Sequence, residues 1–251
     1  MTDDARPEIG RLRARYTSRV TAEHVRQRVS VRYLVDDPER GRQPTDVVGR
    51  LLAMDDDTLL LVDRAGQLHV VGTSTVLASR VVPEHPRLPA EPDVGTAEAP
   101  LQRQAARVLL LDPDDRVLLV SHAPDATRRV WTAPGGGLEP GEAPEAGARR
   151  ELAEEIGVEL PIGPCVWRRR VTFAFRSVWI DQDERWFLAR TERTIDPATA
   201  PLDDAGAVAA RWWSVRDLHD ADEVIAPAAL AHHLAILLRD GPPPEPVDVG
   251  R

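Results

Sequence analysis

Lysine and asparagine are both absent from this 251-residue chain, so every one of its 32 basic residues is arginine. That bias reads as the codon usage of a GC-rich genome rather than as a functional choice. Cysteine occurs once, at Cys165, which excludes an internal disulfide and suits a small buried hydrophobe. No apolar run approaches the ~20 residues that span a bilayer. The N-terminus, MTDDARPEIGRLRARY, lacks the apolar core of a secretory signal, and the expected location is cytoplasmic. Positive charge is also short. The net charge of -9 excludes a global basic field for nucleic acid or anionic membrane. An acidic protein that handles phosphates therefore needs a local source of positive charge, such as a metal.

What is present divides into segments. Residues 1–24 form an arginine-bearing N-terminal arm. Residues 25–83 carry short β runs (VSVRYLV, TDVVGRLLAM, TLLLVDRAGQLHVV, TSTVLASRVV) separated by turn residues. That pattern predicts a small all-β barrel and resembles Src-homology-3-like or Sm-like barrels, a fold that does not itself fix a function. Residues 84–102 are proline-rich and predict a semi-extended linker. The second domain spans 103–241, and 242–251 is expected to be a flexible tail. On this division the barrel is dispensable for chemistry and its partner is unknown.

In the second domain, AARVLLLDPDDRVLLVSHA predicts a hairpin. A helix is predicted over 143–156, with Pro144 in its first turn and Gly157 as its left-handed cap. The segments CVWRRRVTFAFRSVWI and ERWFLART predict a second hairpin around Asp-Gln-Asp. ARWWSV reads as a last strand and APAALAHHLAILLRDG as a closing helix. Mixed strands and helices make an α+β layered domain, with helices on both sides of a mixed sheet.

The chemistry concentrates in GGGLEPGEAPEAGARRELAEEIGV. Glu151, Glu154 and Glu155 stand at i, i+3 and i+4, so a helix sets them on one face ~5–6 Å apart. Three carboxylates there repel unless a hard cation lies among them, and Mg²⁺ binds through a few carboxylates plus substrate phosphates. The glycines let bare backbone approach a metal or phosphate. Arg150, eight residues after Glu142, can pair with it.

From Gly136 to Val158 the spacing is G-x5-E-x7-R-E-U-x-E-E-x-G-U, with U aliphatic, and all nine specified positions match. This resembles the signature of the Nudix hydrolases. The resemblance covers roughly residues 103–240 and implies an α/β/α sandwich with a mixed sheet, preceded here by the small barrel. It implies hydrolysis of a nucleoside diphosphate linked to another moiety, with Mg²⁺ or Mn²⁺ held by Glu151, Glu154, Glu155 and the carbonyl of Gly135. Glu142 and Arg150 would form an orienting ion pair. Glu151 is the first choice for the base, and Asp203 or Asp204 could supply a base or further ligand. Arg168, Arg170 and Arg176 are candidate phosphate or substrate contacts. Many Nudix hydrolases are dimers, which makes a homodimer one expectation.

A reading from another class makes the chain a sensor of a nucleotide metabolite, with the barrel as partner-binding module. Sensor versions often lose catalytic glutamates, whereas this chain keeps all three. A third reading, the barrel as an RNA-binding module, conflicts with the acidic charge and with the lack of an interleaved basic and aromatic surface. The expected substrate is a small nucleoside diphosphate derivative rather than nucleic acid or membrane.

Overall fold

The computed structural model describes residues 19–37, 40–84, 89–122, 129–202 and 207–250. Two sheets organise them. The first holds β1 (Arg28–Asp37), β2 (Gly41–Met54), β3 (Thr58–Asp63), β4 (Leu68–Gly72) and β5 (Val76–Val81) in the order β4-β3-β2-β1-β5. All its pairings are antiparallel. β2 pairs with β1 on one edge and β3 on the other, and its register with β3 shifts at Leu51/Ala53, a bulge that bends the strand. A 3-10 turn, Thr73–Thr75, links β4 to β5. The end strands β4 and β5 do not pair with each other, so backbone pairing does not close this sheet into a barrel.

Alternation explains its core. Val29 and Val31 of β1 meet Leu51, Leu59, Leu61 and Val71 on one face. Val20 joins them at 2% exposure, so the end of the expected N-terminal arm belongs to this core. Residues 1–18 of that arm lie outside the described residues.

The second sheet has nine strands: β6 (Leu101–Leu111), β7 (Val117–His122), β8 (Val130–Thr132), β9 (Gly135–Gly137), β10 (Cys165–Phe175), β11 (Val178–Arg190), β12 (Ala207–Trp213), β13 (Val224–Ile225) and β14 (Val247–Asp248). The central pair β6 and β11 is parallel, while β10 and β11 are antiparallel, so the sheet is mixed. Helix α1 (Pro144–Ile156) covers one face through Ala148, Leu152 and Ile156, against Val108, Leu118 and Phe187. Helices α2 (Val215–His219) and α3 (Leu230–Asp240) cover the other through Leu218, Leu234 and Leu237, against Leu109, Leu119 and Trp186. The α/β/α layering expected from the sequence is what these contacts build. Among the described residues no helix is long and apolar enough to cross a membrane.

Two expectations, the hairpin turn and the loose tail, need correction, and two further contacts tie the segments together. The second hairpin turns at Arg176–Ser177, where φ is 47° and 70°, and not at Asp-Gln-Asp. Two consecutive positive φ values match the twist of the flanking strands, as primed two-residue turns do. Asp181–Asp183 instead alternates within β11, with Gln182 turned inward at 1% exposure.

The proline-rich stretch is anchored at Glu91. Glu91 is buried at 3% exposure and ion-pairs with Arg28 at 2.9 Å and Arg64 at 3.3 Å, which clamps the stretch to the first sheet.

The last ten residues are not a loose tail. Val247 and Asp248 pair with Trp167 and Arg168, and Val249 is buried beside α3 in the core.

The two sheets are not independent. Leu52, Leu60 and Val62 pack with Leu101, Val178 and Ile180 in one cluster, and Arg176 ion-pairs with Asp55 at 2.6 Å. β3 is therefore buried on both faces, which is why Thr58–Val62 reads as an unbroken buried run rather than an alternating one.

Candidate active site

Helix α1 begins with Pro144 in its first turn and ends at Gly157, whose φ of 73° supplies the left-handed cap; the Gly157 N–H donates to Ala153 O. With Ala148, Leu152 and Ile156 committed to the sheet, Glu151 and Glu155 fall at the edge of the buried stripe. They are 8% and 3% exposed. The Glu154 side chain points outward at 53%.

The glycine turn receives the two inner acids. β9 pairs with β6 in the register Ala105↔Gly137, Ala106↔Gly136, Arg107↔Gly135. Gly135 has φ 136°, and any Cβ there would collide with Ala106 O. A Cβ on Gly136 would sit 2.7 Å from the Glu151 carboxylate. Only bare backbone fits between β6 and α1. The Gly135 N–H then donates to Glu155 Oε2 at 2.8 Å.

Arg150 organises the outer side. Its Nε and Nη2 donate to the two oxygens of Glu142, both at 3.0 Å, and Nη2 also donates to Gly137 O at 3.0 Å. Nη1 donates to Glu151 Oε1 and Glu154 Oε2, both at 2.9 Å. The Arg150 hydrogen bonds hold the Glu142 carboxyl below its usual range. Glu151 goes the other way: burial raises its pKa, and Arg150 offsets only part of that rise. The expected pairing of Glu142 with Arg150 is present. Of the three acids, Glu151 and Glu154 are bridged by Arg150, while the Gly135 N–H holds Glu155. Among the described residues no three acidic, histidine or cysteine side chains are gathered closely enough to hold an ion.

Sequence reasoning missed a second group. Register sets Arg103, Arg107, Gln182, Glu184, Trp186 and Arg169 on the sheet face opposite α1. Glu184, 1% exposed, accepts from Gln182 Nε2 at 2.8 Å, Trp186 Nε1 at 3.0 Å and Arg169 Nη1 at 3.4 Å. Arg107 Nε lies 3.5 Å from it. Burial pushes the Glu184 pKa up, but Arg107, Arg169 and these hydrogen bonds outweigh that and hold it low. Arg107 Nη1 also donates to Gly135 O at 2.6 Å. The signal was available as polar residues at alternate inward positions of DQDERW and an arginine inside the apolar run AARVLLL.

The remaining candidates lie elsewhere. Arg168 and Arg170 are exposed, and Arg170 forms a two-pronged pair with Asp181 at 3.0 and 2.7 Å. Arg176 is engaged with Asp55. Among the described residues none of these three hydrogen-bonds with α1 or the glycine turn. Asp203 and Asp204 lie outside the described residues.

Comparison with known proteins bears on this geometry. The family description "NUDIX domain" matches residues 101–234, more than half of the chain. The chain belongs to the Nudix family. It is a Nudix-type pyrophosphohydrolase. An RNA pyrophosphohydrolase of Erythrobacter litoralis is 30% identical over 110 residues, 38% of this chain and 67% of that protein. One of Sphingopyxis alaskensis is 28% identical over 154 residues, 56% of this chain and 93% of that protein. A third, of Photorhabdus laumondii, is matched over only 59% of its length, at 31% identity and 35% of this chain. Among solved structures, a NUDIX hydrolase from Nitrosomonas europaea is similar at 23% identity and a TM-score of 0.43, over 56% of this chain and 90% of that one. The E. coli ORF135 protein is similar at 19% identity and a TM-score of 0.44, over 60% and 100%.

Proposed function

We propose that this Nudix enzyme hydrolyses a pyrophosphate bond in a nucleoside diphosphate derivative at the junction of α1 and the glycine turn, with Mg²⁺ or Mn²⁺. The observation that carries the reading is the seating of Glu155 on the Gly135 N–H, with Glu151 against Gly136. It sets two buried carboxylates against bare backbone, and a divalent cation bound by them would offset their charge toward a phosphate.

The donor chemistry fits a hard divalent cation: three carboxylates and the Gly135 carbonyl are all oxygen ligands. Glu154 is the outward member: its side chain is half exposed, and among the described residues it is held by Arg150. Bound divalent cations would neutralise the pyrophosphate oxygens and lower the pKa of the attacking water. Glu151, buried against the bare backbone of Gly136 at the junction of helix and turn, is the proton acceptor for the attacking water. Water then adds to phosphorus, the bridging P–O bond breaks, and the leaving phosphate carries off the electron pair. Arg150 and Glu142 position the helix against the turn and do not touch the reacting atoms.

The matched relatives are named RNA pyrophosphohydrolases, so an RNA 5′ end is the competing substrate. The net charge of -9 favours the small molecule. The test is a screen of nucleoside diphosphate derivatives and a 5′-triphosphorylated RNA with the full chain, in Mg²⁺ and in Mn²⁺, reading released phosphate after phosphatase coupling. Turnover of a small derivative, lost in Glu154→Gln, supports the proposal. Turnover of the RNA alone overturns the substrate class, and metal-independent turnover overturns the mechanism.

A further inference from the structure

A cleft of about 250 Å³ lies between the two sheets and beside the site. One wall is the β3–β4 turn of the first sheet, Gly66 and Gln67. The floor is the start of β6 around Arg103, and the other wall is the loop Glu139–Gly141 that leads into α1. Neither sheet forms this cleft alone.

The first-sheet wall is held by hydrogen bonds within its own turn. Asp63 Oδ1 accepts from the N–H groups of Ala65 and Gln67, at 2.8 and 2.9 Å, and the Asp63 N–H donates back to Gln67 O at 3.0 Å. Arg64 then ties the turn to the clamped stretch through Pro89 O at 2.6 Å and Glu91 at 3.3 Å. The backbone polar groups of Gln67 are thus used within the turn, and its side chain is left to line the cleft.

The floor is a cation without a hydrogen-bond partner. The Arg103 guanidinium lies against Gly137, where any Cβ would collide with it. Among the described residues it donates no hydrogen bond and forms no close ion pair. Burial lowers its pKa, Arg107 and Arg150 push the same way, and Glu151 and Glu184 oppose them. Arg150 is spent on Glu142, Glu151 and Glu154, and Arg107 on Glu184 and Gly135 O, whereas the Arg103 donors are unused, and a guanidinium fork matches phosphate. The acid lining the cleft is Glu139, which is exposed on its lip. The volume is below the ~300–1,000 Å³ typical of pockets that enclose a whole drug-sized ligand, so it admits a phosphate-sized group rather than a complete nucleotide.

We propose that this cleft is an anion subsite built jointly by the two sheets, in which Arg103 receives a phosphoryl group of the substrate and the Gly66–Gln67 turn limits what can follow it. The inference rests on the proposed placement of the pyrophosphate beside Glu151, with which Arg103 interacts electrostatically. It also assigns the first sheet a part in substrate selection, against the expectation that it is dispensable for chemistry.

The test is calorimetric titration of the full chain with inorganic pyrophosphate in metal-free buffer, so that the readout does not depend on turnover. Wild type binds; Arg103→Gln weakens binding at least tenfold; Gln67→Trp, which fills the cleft from the opposite wall, does the same; Gln67→Ala leaves it within about twofold. In turnover both weakening variants raise KM with little change in kcat. Unchanged pyrophosphate affinity in either Arg103→Gln or Gln67→Trp overturns the subsite. If Arg103→Gln fails to fold, Gln67→Trp decides alone. A wild type that binds pyrophosphate through Arg103 yet hydrolyses no diphosphate derivative keeps the subsite and removes the proposed function. A wild type that hydrolyses one with KM unmoved in both variants does the reverse.

Discussion

Arg107 and Glu155 grip the same residue from two elements: Arg107 Nη1 donates to the Gly135 carbonyl at 2.6 Å, and Glu155 Oε2 accepts the Gly135 N–H at 2.8 Å. Gly135 is thereby pinned between β6 and α1, and the acid helix inherits the position of the sheet. Arg107 also supports Glu184, a buried carboxylate. Removing one partner of a buried ion pair strands the other charge and costs ~3–5 kcal/mol. Arg107→Met is therefore expected to destabilise the fold by about 3 kcal/mol in urea unfolding. Arg107→Lys should recover little, because an ammonium cannot span Gly135 and Glu184 as a guanidinium fork does. A wild-type midpoint for Arg107→Met would remove the pinning argument.

Glu154 is half exposed and Glu155 is buried, though the two are adjacent in sequence. Glu154→Gln changes an outward side chain held by Arg150, so stability should stay within ~0.5 kcal/mol of wild type. Its metal-dependent hydrolysis should fall on the order of 100-fold, because a lost charged ligand weakens the transition-state charge stabilisation. Glu155→Ala removes the acceptor of the buried Gly135 N–H, and should lose both activity and ~1–3 kcal/mol of stability. Paired melting and rate measurements separate the two; equal stability losses would contradict the different seating.

The acid helix was legible because its signals are local: Pro144 starts it, Gly157 stops it, and the spacing from Glu142 to Glu155 names its faces. The Arg176–Ser177 turn was not, because neither residue is among the usual carriers of positive φ, while Asp-Gln-Asp carries turn-forming side chains inside a strand. The Glu184 cluster was hidden for another reason. Its members come from β6, β10 and β11, and only sheet register brings them together. Burial of Thr58–Val62 on both faces likewise depends on the second sheet arriving, which no short window of sequence encodes.

The C-terminal segment offers a direct check of the corrected tail. Val249 is 3% exposed and its N–H donates to Arg168 O at 3.0 Å, continuing the pairing of β14 with β10. Val249→Asp would bury a charge without a partner and is expected to cost ~3 kcal/mol or more. Val247→Asp, at 43% exposure two residues earlier, should cost under ~1 kcal/mol. Thermal unfolding of the two variants side by side reads the difference; equal melting temperatures would restore the loose tail.

His122 predicts how stability depends on pH. It ends β7, opposite Val130 of β8, and its buried Nε2 has no hydrogen-bond partner among the described residues. Burial, and then the nearby positive charge of Arg107, lower its pKa from 6.5 to about 4. The folded pKa lies below the unfolded one, so as pH falls the unfolded chain takes up the proton first. The stability associated with neutral His122 is whole above pH 6.5 and is lost as pH falls toward 4. At ~1.4 kcal/mol per pH unit, the loss between pH 7.5 and 5.0 is about 2 kcal/mol at most. His122→Phe cannot protonate, and should flatten this part of the curve while leaving the carboxylate transitions at lower pH in place. Urea midpoints at pH 7.5 and 5.0 for both proteins measure the difference of slopes, and an identical drop in His122→Phe would assign the acid sensitivity to other groups.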